Sequence, residues 1–173
     1  MKKIIFLDFD GVLHGDLGNF FTKLPLFEHY LHQMSDVEVV ISSAWRETTE
    51  FEDLKNIFSA SLRQRIIGIT PVLDIGYNPG GRQKEIEAFL NTQALNEHNA
   101  VWIALDDIEE FFSAGYTHLI LVDPELAFTD KEGKILLEWY KQACFLDKFE
   151  RLMAMKKLKN TCQKSITIGT NEG

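Results

Sequence analysis

The stretch Lys3-Ile4-Ile5-Phe6-Leu7-Asp8-Phe9-Asp10-Gly11-Val12-Leu13 decides how the rest of the chain is read. Its unbroken apolar run, two of whose members are β-branched, predicts a strand buried on both faces, as in parallel sheets covered by helices. The run then ends in two carboxylates and a glycine. Asp8 and Asp10, at i and i+2, would share one face of a continued strand, and Gly11 permits a sharp turn that lets both reach one site. A carboxylate pair held close raises the proton affinity of one member, so one can stay ionised as a nucleophile while the other carries a proton. Burying such a pair behind an apolar strand is costly, and a divalent cation would lower that cost. A turn that merely collects Asp and Gly is the plainer alternative.

Four further runs repeat the design: Val37 to Ser42, Arg65 to Thr70, Val101 to Asp106 and His118 to Asp123. Between the runs, helical periodicity or turn chemistry predicts helices around Pro25 to Met34, Glu47 to Phe58, Arg82 to Leu95 and Ile108 to Ala114, with a last one at Lys131 to Phe149. Strand alternating with helix predicts the α/β class, a Rossmann-like three-layer α/β/α sandwich on a mostly parallel sheet of about five strands. Four of the five runs end in Asp, Ser or Asp-Asp. In an open α/β sheet the carboxyl ends of the strands line the crevice where ligands bind, so these polar ends are placed for chemistry.

Composition narrows the function classes. At 173 residues, 45% hydrophobic and with 13 Phe, the chain is long and apolar enough for one packed core. Its 26 acidic against 18 basic side chains, a net charge of −8, argue against sequence-independent binding to nucleic acid or to a membrane surface, since both are anionic. The start Lys2-Lys3 followed by Ile4 to Leu7 imitates a secretory leader but stops at Asp8, too short for one, and no apolar stretch is long enough to span a membrane. A cytoplasmic protein is expected, with Cys144 and Cys162 as reduced thiols, because they lack any CxxC spacing. Residues 1–147 carry 12 basic and 24 acidic side chains, whereas 148–173 carry 6 and 2. The expected division is therefore a domain over 1–147 and a basic C-terminal tail over 148–173, either a solvated end or a contact for an anionic partner.

Asp8-Phe9-Asp10-Gly11-Val12 resembles the first motif of the haloacid-dehalogenase-like (HAD) superfamily, a strand followed by Asp-x-Asp-Gly-x. The other motifs of that superfamily can be matched in order. Its Ser or Thr at the tip of the second strand falls on Ser42, with Ser43 as second choice. A hydroxyl there can donate to a phosphoryl oxygen without adding charge, although both serines also suit a turn that caps the next helix. Its cation falls on Arg82 or Lys84, after the loop Asn78-Pro79-Gly80-Gly81; Arg82 lies four residues before Ile86. A cation at a helix opening opposes the helix dipole, which favours a functional reason for one of the two, the alternative being a pair of solvated charges. The last motif falls on Asp106-Asp107, where Asp106 would coordinate Mg²⁺ directly or through water and Asp107 would either join it or cap a helix beginning near Ile108.

Ile41-Ser42-Ser43-Ala44-Trp45-Arg46, Arg82-x-x-Glu85-Ile86 and Leu105-Asp106-Asp107 narrow the resemblance to the capless HAD domains of Swiss-army-knife RNA repair proteins and their free-standing bacterial relatives, over about residues 3–140. The resemblance implies Mg²⁺-dependent hydrolysis of a phosphomonoester through an aspartyl-phosphate. Asp8 would be the nucleophile and Asp10 the general acid and base; Ser42 with Arg82 or Lys84 would steady the phosphoryl oxygens. Asp8, Asp10, Asp106 and Asp107 would hold the metal, and Ser43, Arg46 and Gly11 would lie against substrate. An Asp at position 10 points to a phosphatase or phosphotransferase rather than to another branch of the superfamily. Segments 12–36 and 71–81 leave no room for a full cap, so an open site is expected. It would admit a phosphorylated small molecule, a nucleotide or a nucleic-acid end, or be closed by a partner subunit in a homo-oligomer. His14 is close enough to the first motif to line the site. The other class of reading is a catalytically silent binding or scaffold domain, against which the complete set Asp8, Asp10, Ser42 and Asp106 argues.

Overall fold

The fold comes from a computed structural model, which describes residues 1–15, 19–74 and 79–168, with side chains to residue 156. The chain divides into two compact units, Met1–Glu138 and Trp139–Gly173. In the first unit, β1 (Lys2–Leu7), β2 (Val37–Ile41), β3 (Ile66–Ile69), β4 (Ala100–Asp106) and β5 (Leu119–Leu121) form one sheet in the order β3-β2-β1-β4-β5, with every neighbouring pair parallel. All five apolar runs are therefore strands, and the mostly parallel sheet is wholly parallel. The helices are α1 (Leu24–His32), α2 (Phe51–Asn56), α3 (Gly81–Thr92) and α4 (Asp130–Ile168).

Both faces of the sheet are buried, as the unbroken apolar runs require. Ile4, Phe6, Val40 and Ala104 pack with Ile86, Phe89 and Leu90 of α3, and the Phe6 and Phe89 rings meet edge to face at 5.7 Å. The pleat turns Ile5 and Leu7 to the opposite face, where they are fully buried, as are Phe27 and Leu31 of α1. Each such side chain stabilises the fold by about 1.5–3 kcal/mol relative to exposure. Among the described residues no second domain is inserted into the sheet unit, and no helix is long and apolar enough to cross a membrane.

Three helix expectations need correction. The segment Glu47 to Phe58 is not one helix: a 3₁₀ turn at Ala44–Glu47 is followed by α2, because the Thr48 and Thr49 amides both close back on the Trp45 carbonyl. After β4 there is only a 3₁₀ turn, Glu109–Phe111, instead of a helix from Ile108 to Ala114. There Asp106 Oδ1 captures the Ile108 amide and Gln83 of α3 captures the Ser113 amide and hydroxyl, so the backbone is tied outward before a helical ladder can form. Conversely, α4 does not end near Phe149 but continues to Ile168 through a run that opens with Leu, Met, Ala and Lys, all good helix formers. Cys144 is a free thiol in α4; the Cys162 side chain and the loop residue Asn78 lie outside the described residues, while Pro79 is exposed in the turn before α3.

The topology places the crevice. From β1 the chain moves one way to β2 and β3, then crosses to β4 and β5, so the switch point lies between β1 and β4. Leu7 is in register with Ile41 on one side and Leu105 on the other. The next residue on each strand is therefore Asp8, Ser42 or Asp106, three side chains brought side by side by register alone.

Candidate active site

At that switch point Asp8, Asp106 and Asp107 each offer a carboxylate oxygen within 4.8 Å of the other two. Asp106 is fully buried and Asp8 nearly so. Asp8 Oδ1 accepts from the Phe9 amide at 2.7 Å, while Asp106 Oδ2 is buried without a hydrogen bond. The backbone makes the crowding possible: Gly11 has φ +66°, and a Cβ there would overlap the Asp107 carboxylate. Burial foremost, then the Asp8 charge, pushes the Asp106 carboxyl up to about 8 and that of Asp107 up to about 6. Several hard oxygens held close, with one buried oxygen unpaired, fit a small divalent cation such as Mg²⁺.

Arg82, in the first turn of α3, faces this cluster. Its Nη2 lies 3.6 Å from Asp8 Oδ2 and its Nε 3.6 Å from Asp106 Oδ2, while Nη1 is buried without a partner. The guanidinium also stands 5.5 Å from the Phe111 ring centre. Gly80 starts the helix in the left-handed region, φ +76°, and its amide donates to the Glu110 carbonyl, which fixes where α3 begins. Lys84 is exposed and pairs with neither carboxylate. Geometry thus separates two cations that the sequence left equivalent. Beside Arg82 opens a cavity of about 370 Å³, lined among others by Glu47, Asp74, Glu85 and Phe111.

The two serines are separated as well. Ser43 Oγ accepts from the Trp45 amide and caps the 3₁₀ turn, whereas Ser42 sits buried at the tip of β2, its amide bonded to the Leu7 carbonyl. Arg46 turns inward. Its guanidinium donates to the carbonyls of Ser42 and Ser43, both at 2.7 Å, to that of Thr70 at 3.1 Å, and to Glu85 on α3 at 2.5 Å. Burial lowers its pKa and Glu85 opposes that shift. Arg46 thereby ties the tips of β2 and β3 to α3, one turn beyond Arg82. Nothing local in the sequence marks Glu85 or Thr70 as its partners, because the three lie far apart in the chain.

Asp10 stands apart from the carboxylate cluster. Gly11 turns the chain so that Asp10 remains exposed, its Oδ1 bonded to His14 Nε2 and its Oδ2 accepting from Trp45 Nε1, each at 2.9 Å. The carboxyls with raised proton affinity are Asp106 and Asp107. His14 does reach the first motif, as its position suggested. Its ring meets Phe20 and Phe21 at 5.2 Å, and Trp45 meets Phe20 at 5.4 Å and Phe21 at 5.2 Å, all edge to face. Phe21 holds φ +60°, a conformation that costs a bulky residue about 1–3 kcal/mol and that this ring packing offsets. The aromatic group escaped sequence reading because Trp45, in the 3₁₀ turn after β2, meets rings from the connection between β1 and α1.

A parallel sheet of this order, with an Asp-x-Asp-Gly turn on its central strand and an Asp-Asp on the next, defines a HAD-like domain. The family model for the HAD domain in Swiss Army Knife RNA repair proteins matches residues 4–132, and the chain belongs to that family. No curated protein and no solved structure matches the chain.

Proposed function

We propose that the chain is a Mg²⁺-dependent phosphomonoester hydrolase whose substrate is a nucleotide or a phosphorylated nucleic-acid end. The observation that carries this reading is the packing of Asp8, Asp106 and Asp107 within 4.8 Å, with Arg82 against two of them. A Mg²⁺ ion held by Asp8, Asp106 and Asp107 would offset their charge and polarise the phosphoryl group. The Asp8 carboxylate attacks phosphorus, forming an aspartyl-phosphate and breaking the bond to the leaving oxygen. Asp10 donates its proton to that oxygen, then takes one from the water that attacks the aspartyl-phosphate, releasing phosphate and restoring Asp8. Ser42 and the unpartnered Nη1 of Arg82 donate to the phosphoryl oxygens as charge shifts. Arg46 acts through others, holding the Ser42 tip and α3 in place. The family description, an RNA-repair domain, supports the nucleic-acid end as substrate.

The test measures phosphate release from p-nitrophenyl phosphate and from 3′- and 5′-phosphorylated oligonucleotides, with Mg²⁺ and with chelator, using the full chain and its Asp8→Asn variant. Expected are Mg²⁺-dependent release and a loss of at least about 10³-fold in the variant. Unchanged activity in Asp8→Asn sinks the nucleophile assignment, and no release from any phosphomonoester favours a silent binding domain.

A further inference from the structure

Beside Asp10 lies an aromatic surface that the hydrolytic chemistry does not use. Its inner members are buried: Phe9 is fully covered, its ring 6.0 Å from Trp45 and 5.4 Å from Phe21, and His14 is covered almost as well. Its outer member is not. Phe20 is 64% exposed although it contacts His14, Phe21 and Trp45. A large ring braced by three others yet left open to solvent offers a rigid π-surface. Trp45 links that surface to the chemistry, since its indole N–H is bonded to the carboxylate of Asp10.

We infer that Phe20, braced by Trp45, is a stacking platform for the terminal nucleobase of the leaving group. The inference rests on the hydrolytic reading above, in which Asp10 protonates the leaving oxygen, so that the leaving group emerges on the Trp45 side. The occupant must be flat and apolar on its faces and attached to the phosphate through a short linker, as a base is through its sugar. Charge in residues 1–147 disfavours the other common mode of holding a nucleic acid. Residues 1–147 carry 12 basic against 24 acidic side chains, which gives a long phosphate backbone little to follow. One stacked base at the end supplies grip without a cationic track, and it is sequence-tolerant because every base presents a π-face.

The experiment compares kcat/KM for pentanucleotides phosphorylated at either end with the same oligomers whose phosphorylated residue is abasic, and with a phosphotyrosine peptide. The proteins are the full chain, Phe20→Ala and Phe20→Trp. Expected is a preference of about tenfold for the base-bearing end, collapsing towards unity in Phe20→Ala and retained in Phe20→Trp. Phe20 is exposed, so its truncation removes little packing. Equal rates with and without the terminal base, a preference untouched by Phe20→Ala, or a phosphotyrosine peptide favoured over every oligonucleotide overturns the platform while leaving hydrolysis intact. Binding of the same oligomers to Asp8→Asn, followed by tryptophan fluorescence, separates the two ideas. If no oligomer is turned over by the full chain, the hydrolytic reading fails, and the base-dependent affinity with its loss on adding Phe20→Ala still decides the platform.

Discussion

The two sides of the crevice are built on opposite principles. On the side of Asp8, Asp106, Asp107 and Arg82 the groups are ionisable, buried or half-buried, and under-bonded: Asp106 Oδ2 and Arg82 Nη1 lack hydrogen bonds, and two carboxyls have raised proton affinity. On the side of Asp10, His14, Trp45 and Phe20 the carboxylate is exposed and both its oxygens are bonded, within a shelf of aromatic rings. Only Phe9 separates Asp8 from Asp10. The contrast teaches that one turn at Gly11 divides a buried acidic cluster that stores electrostatic stress and could hold a cation from an exposed carboxylate whose two oxygens are already bonded, although His14 Nδ1 behind it is buried without a partner.

Four substitutions probe that contrast. Arg46→Ala is expected to have the largest effect, destabilising the fold by about 3–5 kcal/mol in urea denaturation, because Glu85 and three carbonyls are left buried without their donor. A loss below about 1 kcal/mol would mean that the buried side tolerates missing partners. Arg82→Met should leave the chain folded and lower kcat/KM for phosphate release about 10²-fold, or about 3 kcal/mol. Gly11→Ala should cost about 1–2 kcal/mol from its left-handed φ. It should also abolish the rise in Tm expected of the parent chain on adding Mg²⁺, since the new methyl group displaces Asp107. A retained Mg²⁺ shift would remove Asp107 from the cation site. Trp45→Phe keeps the ring and loses the N–H to exposed Asp10, so kcat should fall only about fivefold, near 1 kcal/mol, with Tm unchanged. Should Trp45→Phe cost as much as Arg82→Met, the exposed side would be as finely poised as the buried one and the contrast would fail.

Much of this architecture was legible before any coordinates. Runs such as Val39 to Ile41 and Val101 to Leu105 are apolar on both faces, as a covered parallel sheet requires. Their polar last residues marked the crevice for the same reason, since strand ends are where a buried run meets solvent. Helix boundaries were less legible. The turn after β4 is decided by Asp106 and Gln83 capturing amides, and one of those partners lies on α3, so local propensity could not report it.

Within the site, the residue types and their order along the chain were written in the sequence: Asp8 and Asp10 after β1, Ser42 after β2, Arg82 or Lys84 at α3, Asp106 and Asp107 after β4. The tertiary structure decided the partners. Arg82 rather than Lys84 meets the carboxylates, Ser43 rather than Ser42 caps the turn, and Arg46 faces inward to Glu85. Asp10 pairs with Trp45 across 35 residues, and Phe20 comes to rest against the same indole. The physical reason is range. Strand burial and turn chemistry act between near neighbours and leave a period in the sequence, whereas which charge meets which, and which ring stays open, depends on register and crossover between segments that share no local pattern.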